Sequence, residues 1–476
     1  MWQRGITMSG SFSDNIVKTG NEEGRSRVVV LYCDSYDEEI IYRKMKRGIS
    51  MLGGPEAFVK PDEKILVKPN YLYPADPEKA VTTHPSVIKG MLRILQEYGC
   101  GSVKYGDSPG SSSAESVDRK LGLSDADGRC YGAEKASMNK EVHVDFPEGM
   151  TAKEFYFTEE VTEADAIISL CKMKTHALER ITGAVKNFYG TICGYRKAAG
   201  HVKYPNDSIF ARMLADIHRY LKPRLHIMDG VLAMEGNGPG SGDPVKMNVL
   251  LFSTDPVALD AVYCALVDLD PELIPTCVQG EAMGIGTYHF DKIDIITADE
   301  DTGETAVADG TAAAGHANTA NILDITDAAG AVETADPAKI AVTEKNAIIA
   351  GAADAFGGTA AFSEKCSVSE PGMLISKEEL FRRYGNASFD VPRAKQKGNF
   401  LLNFSRFMTG ISRRPYIKKE LCVKCGICVE HCPVAGKAVN FRNADRTQPP
   451  EYNYRKCIRC YCCQEMCPQH AIRVKG

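Results

Sequence analysis

The 476-residue chain is predicted to be an α/β protein with an open, mostly parallel sheet and flanking helices, plus a small C-terminal α+β domain. Three observations lead there. From about Arg27 to residue 300, short apolar runs alternate with segments of helical period, as strands linked by crossover helices do. The length leaves room for two or three domains with buried cores. Nine of the 17 cysteines crowd into two short blocks near the C-terminal end, eight of them in a repeated spacing. In a chain of this kind such clustering points to metal ligation rather than disulfides.

Composition closes several options. Hydrophobic residues at 44% and charged residues at 25% are ordinary for a soluble globular protein, and a net charge of -5 offers nucleic acid no general attraction. Residues 1–20 carry polar side chains throughout, where a secretory signal would place an apolar run. No stretch approaches the roughly 18 uninterrupted apolar residues of a membrane span. A reducing, cytoplasmic setting is therefore expected, with any membrane contact peripheral.

Strands are predicted at 28–33, 64–68, 102–105, 166–170, 225–228, 249–253 and 293–297. Helices are predicted at 84–98, where Val87, Ile88, Met91, Leu92 and Leu95 recur at helical spacing, and at 256–267, opened by Pro256. Residues 299–336, rich in Ala, Thr, Gly and Asp and without Lys or Arg, read as a flexible acidic insertion. Apolar runs resume at 340–342 and 347–350, and Ser376 caps a helix that has Glu378 and Glu379 in its first turn. The large domain is thus expected over 27–390, after an extension of residues 1–26. Residues 391–415 form a basic linker. From 391 to 419 the chain holds eight Lys or Arg and no acid, with Phe400, Leu401, Phe404, Phe407 and Met408 at near-helical spacing. Such a face packs on the main domain or rests on an anionic membrane or partner.

Cys422, Cys425, Cys428 and Cys432, followed by Pro433, form Cys-x2-Cys-x2-Cys-x3-Cys-Pro. Cys457, Cys460, Cys463, Cys467 and Pro468 repeat it at a constant offset. Three thiolates at intervals of three wrap one cubane in a tight loop, while the fourth is too remote in that loop and serves the other cluster. The expected sets are crossed: Cys422, Cys425, Cys428 and Cys467 for one [4Fe-4S] cluster, Cys457, Cys460, Cys463 and Cys432 for the second. Zinc modules instead pair separated Cys-x2-Cys units. Residues 414–476 closely resemble the bacterial two-cluster [4Fe-4S] ferredoxins, which implies a domain of 416–476 passing single electrons. Cys462, beside Cys463, is an extra thiol. From Tyr416 on, 11 Lys or Arg face 5 Asp or Glu, so an acidic redox partner is expected.

In the large domain, residues with chemical potential follow the predicted strands, where open α/β sheets place their ligands. Lys68-Pro69-Asn70 and Gly106-Asp107-Ser108-Pro109-Gly110 follow the second and third. Cys171-Lys172-Met173-Lys174-Thr175-His176 and Thr182-Gly183-Ala184-Val185-Lys186-Asn187 follow the fourth, with His201 beyond. Lysines with glycines and helix N-terminal amides suit a phosphate or carboxylate group. Asp107-Ser108 reads either as a turn or as a nucleophile with its partner. Asp229, Glu235 and Asp260 are candidates for acid-base or metal work. The glycine run at 236–240 lacks the strand, Gly-x-Gly-x-x-Gly and helix order of a dinucleotide site. The catalytic candidates are Asp107, Lys174, His176, Lys186 and Glu235; the binding candidates are Lys68, Asn70, Ser108, Asn187 and Asn237.

Together with Asp229-Gly230, Met234-Glu235-Gly236-Asn237-Gly238-Pro239 and Asp255-Pro256-Val257-Ala258, these motifs resemble the family catalogued as domain of unknown function 362, over about residues 27–300. That resemblance implies the architecture and the attached ferredoxin module, and no particular reaction. A fainter similarity runs through His84, His176, Gly183, Lys186 and His201 to the N-terminal domain of lactate racemases of the nickel-pincer type. It implies Lys186 as cofactor anchor, His201 as nickel ligand and His176 as base. Three functions follow as expectations. The first is an iron-sulfur protein exchanging electrons with an anionic small molecule in the large domain. The others are a non-enzymatic electron carrier or cluster-assembly scaffold, and a pincer-like racemase or isomerase.

Overall fold

The computed structural model describes residues 24–110, 112–194, 196–298, 372–393 and 414–475. The N-terminal extension up to residue 23, the acidic insertion with the runs at 340–342 and 347–350, and the linker at 394–413 lie outside the described residues.

The strands of the large sheet are β1 (Ser26–Tyr32), β2 (Lys64–Lys68), β3 (Ser102–Tyr105), β4 (Arg129–Cys130), β5 (Ala133–Lys135), β8 (Ala166–His176), β9 (Arg180–Thr182), β10 (Leu225–Glu235), β11 (Asp243–Ser253), β12 (Ile293–Thr297) and β13 (Met373–Ile375). A separate hairpin joins β6 (Glu141–Asp145) and β7 (Glu154–Thr158). The sheet order is β13-β12-β1-β11-β10-β8-β2-β3-β5-β4, with β9 paired to the end of β8. The run β10-β8-β2-β3-β5 is parallel, as is β1 with β12. β11 is antiparallel to both of its neighbours, and the edges β13 and β4 are antiparallel as well.

Alternation along the strands divides the core into two layers. Val29, Leu31, Ile65 and Val67 face the helices α1 (Glu38–Met51) and α2 (Pro85–Glu97), against Ile41, Met45, Val87, Met91 and Leu95. Val28, Val30, Met228 and Val249 face the other side, against Phe210, Leu214 and Ile217 of one helix (Asp207–Leu221) and Leu259 and Val262 of another (Pro256–Leu266). Local chemistry sets the helix starts. Asp37 accepts from the Glu39 and Ile40 amides, the His84 ring from Ser86, Asp255 from Val257 and Ala258, and Ser376 from Glu379.

Each predicted strand is present, yet three, β8, β10 and β11, are longer than their apolar runs suggest. β8 continues through Lys172, Lys174 and His176, and β10 continues to Glu235 as one arm of a long hairpin with β11. Polar side chains interrupt the apolar pattern there, but they are buried on partners of their own.

In the C-terminal region, β14 (Arg414–Ile417) pairs antiparallel with β17 (Ile472–Lys475), and β15 (Val439–Asn440) with β16 (Glu451–Tyr452). Two single-turn helices, α3 (Ile427–Glu430) and α4 (Cys462–Glu465), each carry cysteines. The core of this region is Cys428, Cys432, Cys463 and Cys467 with Ala438, Val439, Ala471 and Ile472.

Candidate functional site

Because β2, β3, β8 and β10 run the same way, their carboxyl ends share one edge of the sheet, and the candidate residues gather there. Lys68, the last residue of β2, is fully buried with its Nζ 2.8 Å from Asp107 Oδ1. Asp107 also accepts from the Tyr71 and Ser108 amides, and Asn187 reaches Lys68 Nζ at 3.4 Å and Ser169 Oγ at 2.9 Å. The Asp107 carboxylate is thus fully engaged as a support for the turn, and Ser108 is buried on it. Gly190 permits the packing, since a Cβ there would lie 2.0 Å from Asp107 Oδ1 and 2.5 Å from Lys68 Nζ.

β8 outruns β2, whose Lys68 pairs with Ser169, so residues 170–176 overhang the edge. Lys172 is buried 2.7 Å from Asp229 Oδ2, and Asp229 also accepts from Tyr36 Oη and the His84 amide. This closed network accounts for Asp229, a candidate by sequence, as an internal ion pair. Asp260 caps the Ala184 and Val185 amides at 2.6 and 3.2 Å and so shapes the loop before Lys186; burial pushes its carboxyl up to about 7.

Lys174 donates to Asn70 Oδ1 and to the Val81 carbonyl, both at 2.7 Å. Burial, with Lys186 and Lys172 nearby, pulls its amine down to about 7. Two of the hydrogens of a neutral amine satisfy both acceptors and leave a lone pair free, as a base or nucleophile requires. The sign of the linkage follows. From about pH 7 toward the ordinary lysine value, the unfolded chain holds a proton that the folded chain has released, so this group makes stability rise with pH. The stability difference between wild type and Lys174→Met should therefore shift in favour of wild type from about pH 7 to about pH 9.5, measured by urea unfolding. A flat difference would mean that Lys174 stays charged.

His176 ends β8, and its Nδ1 accepts from the amides of Leu178 and Glu179. Nε2 then carries the hydrogen of the neutral ring, which burial and Lys186 hold down to about 4. Nε2 lies 2.9 Å from Oε1 of Glu465 at the end of α4, a close approach of imidazole to carboxylate. Buried polar atoms nearby are without partners among the described residues: both carboxyl oxygens of Glu179 and Nδ1 of His201. Burial and Asp207 hold the Glu179 carboxyl well above the carboxylate range, and burial takes His201 down to about 4. Burial opposes ionisation of Glu465, but His176, Lys186 and His201 outweigh it and hold the acid at about 2. Lys186 interacts electrostatically with all four of these groups, yet among the described residues it makes no hydrogen bond or ion pair, only a 6.0 Å approach to the Tyr189 ring. Lys197, half-buried, donates to the Ser108 carbonyl and is lowered to about 8 chiefly by desolvation. Buried polar groups without partners, gathered around a cation, are the recognition chemistry of an anion site.

Sequence reasoning placed Lys174, His176 and Lys186 in this cradle. It missed Glu179, Lys197 and Glu465, and it included two residues that the structure places elsewhere. Glu235 accepts from the Asp390 amide at 2.8 Å and anchors the chain after the large domain. Asn237 donates to the Ile472 carbonyl at 3.1 Å, a contact between the two regions. Further contacts of this kind run from Gln464 to the carbonyls of Asn237 and Gly238, from His470 to Ser241 Oγ, and from Arg473 to the Ser241 carbonyl. The tip of the β10–β11 hairpin is thus the seat of the cysteine-rich region.

Within that region, Cys422, Cys425, Cys428 and Cys467 line one cavity. Cys428 is held up to about 12 by burial and by Cys467, Cys425 and Cys422; Cys457 is raised by burial and has Cys460 and Cys432 for charged neighbours. The amides of Ala438 and Ala471 point at Cys432 and Cys467 Sγ at 3.2 and 3.3 Å, and Tyr452 Oη lies 3.1 Å from Cys463 Sγ. Hydrogen-bond donors aimed at thiolates in an apolar setting fit iron-sulfur clusters. Among the described residues no group of three or more His, Cys, Asp or Glu donors is spaced for a single metal ion. Cys462 is buried and hydrogen-bonded with Cys460.

These features define a two-part iron-sulfur protein, with an α/β domain bearing a polar cradle and a small cysteine-built module seated beside it. Comparison with known proteins agrees. Residues 65–265 match the model of DUF362, a domain of unknown function, and residues 414–468 match a 4Fe-4S dicluster domain. A thylakoid-associated protein of Synechocystis is 33% identical over 270 residues, covering 54% of this chain and 79% of that protein. The chain belongs to the DUF362 family and carries a 4Fe-4S dicluster domain, which binds iron-sulfur clusters and transfers electrons. Among solved structures, the lactate racemase apoprotein from Thermoanaerobacterium thermosaccharolyticum is similar at 11% identity with a TM-score of 0.33, over 50% of this chain. A structural-genomics protein from Thermotoga maritima is similar at 16% identity with a TM-score of 0.32, over 53% of this chain. The chain spans 56% and 60% of the length of those two proteins. No helix among the described residues is long and apolar enough to cross a membrane.

Proposed function

We propose that the protein is a ferredoxin-linked oxidoreductase in which two [4Fe-4S] clusters exchange electrons with an anionic small molecule held by the large domain. The observation that carries this is Lys186, without a partner among the described residues, beside the unsatisfied atoms of Glu179 and His201 and close to α4. One cluster is assigned to Cys422, Cys425, Cys428 and Cys467, the other to Cys457, Cys460, Cys463 and Cys432. When bound, the clusters supply single electrons. The second set lies nearest the cradle, since Cys460, Cys462 and Glu465 all act electrostatically on the buried Tyr189, whose ring meets that of His201. The first set has Cys425 exposed to solvent, beside Lys424, and suits an acidic redox partner. Lys186 fixes the anion, Lys174 and Glu179 hold and move protons, and Lys68 with Asp107 supports the turn beneath.

The reading places the protein in the cytoplasm. The basic linker would give peripheral contact with an anionic membrane, in line with the thylakoid association of the Synechocystis relative.

The test is metal and acid-labile sulfide analysis with EPR on anaerobically purified protein, followed by mass spectrometry of co-purifying small molecules. About eight iron and eight sulfide per chain with an anionic ligand are expected. Zinc in place of iron would end the redox reading. A second reading, a nickel-pincer isomerase, is favoured by the same partner-free state of Lys186 and His201 Nδ1. Nickel with a covalently modified Lys186 in the same sample would establish it instead.

A further inference from the structure

We propose that Glu465, supplied by the small module, occupies a carboxylate subsite of the large domain, so that a carboxylate-bearing small molecule competes with this one side chain for the cradle. The proposal deepens the anion-binding reading above and rests on it.

Its basis is where this side chain lies. Glu465 closes α4 on the side facing the large domain and is 9% exposed. Its carboxylate is presented to a set of groups that belong entirely to the other domain: His176 at 2.9 Å, with Lys186 and His201 around it. Take the module away, and these groups form a recess with a partner-free ammonium, an imidazole Nε2–H and no carboxylate of its own at that point. Such a recess binds a free carboxylate for the same reasons that it accepts the tethered one.

The tethered group is also constrained: Glu465 Oε1 is carried on α4 to 2.9 Å from His176 Nε2. A carboxylate on a freely diffusing molecule is not held to the axis of α4 and can meet Nε2–H and Lys186 together. The module is also seated by polar contacts on the hairpin tip, at Asn237, Gly238 and Ser241, and by Met466 against Gly110. Entry of the small molecule therefore displaces the Glu465 side chain, while the contacts on the hairpin tip keep the clusters beside the cradle.

The experiment uses the anaerobically purified holoprotein, as full-length wild type and Glu465→Gln, titrated with malonate by calorimetry and with inorganic phosphate as comparator. Removing the internal competitor should tighten malonate binding about tenfold. In wild type, malonate should speed hydrogen exchange of the amides at 462–466 while leaving those at 237–241 unchanged, a readout that does not depend on how the variant folds. Equal or weaker malonate affinity in Glu465→Gln with its iron content intact, or slower exchange at α4 on adding malonate, overturns the competition while leaving the anion site standing. Binding of phosphate without malonate overturns the carboxylate class. Failure of both proteins to bind either anion overturns the anion-site reading itself, and this proposal with it.

Discussion

Replacing Cys432 with alanine should remove about half of the iron and acid-labile sulfide, and the cluster lost should be the one that the distant Cys457, Cys460 and Cys463 hold. Cys432 belongs by sequence to the first motif, but its charge acts on Cys457. The cavity lined by the other three cysteines of its motif takes Cys467 as a fourth. The prediction distinguishes crossed from uncrossed ligation because it concerns pairs of variants. Cys432→Ala and Cys457→Ala should leave the same residual EPR spectrum, and Cys467→Ala and Cys422→Ala should share the other. If Cys432→Ala matches Cys422→Ala, each cluster is held within one motif and the crossing is wrong. A larger effect follows from chelating the iron altogether. With thiols making up half of its buried core, the module has little apolar surface to hold it together, so loss of the clusters should unfold residues 414–475. The large domain, with cores on both faces of its sheet, should stay folded. Hydrogen exchange before and after chelation would show the difference residue by residue.

Replacing Asp107 with alanine should destabilise the large domain by about 3–5 kcal/mol while leaving the iron content of the protein unchanged. Lys68 is fully buried, and burial already works against its charge; Asp107 is what offsets that penalty. Without it the ammonium is stranded, and the Tyr71 and Ser108 amides lose their acceptor as well. Removing both charges together, as Lys68→Met with Asp107→Leu, should recover much of the loss, because a stranded charge is worse than an apolar pair of similar volume. Urea unfolding of the two variants measures this, and a loss under about 1 kcal/mol for Asp107→Ala would show that water reaches Lys68.

The two parts of the protein differed in how far their sequences could be read. Cysteine spacing carries ligand identity directly, because a cubane dictates which thiols a loop can deliver. Strand positions in the sheet were legible for a similar reason, since Val28 to Leu31 and Ile65 to Val67 lie on a strictly apolar pattern. What hid the extent of β8 is that Lys172, Lys174 and His176 look like the end of a strand, whereas each is buried on a partner from a different segment: Asp229, Asn70 and Glu465. The site was visible as a density of lysine and histidine, and its acidic members were not. Glu179 is unremarkable among its neighbours until its burial is known, and Glu465 lies nearly three hundred residues from His176, inside a motif whose cysteines draw the eye. Glu235 and Asn237 mislead in the opposite direction, because polar groups at a hairpin tip carry out assembly as readily as chemistry.

The hairpin tip also holds the last stretch of the large domain. Asp390 is clipped to Glu235 and Gly236, the residues immediately before those that receive the module, and Arg393 is then pinned to Val267 and Asp268. The large domain thus brings its own last residues past the place where the module is seated. For a protein so arranged the covalent connection adds local concentration rather than orientation. The two halves made as separate polypeptides should therefore still find the same seat, held by Gln464, His470 and Arg473, and a division of this chain into two genes would preserve its geometry.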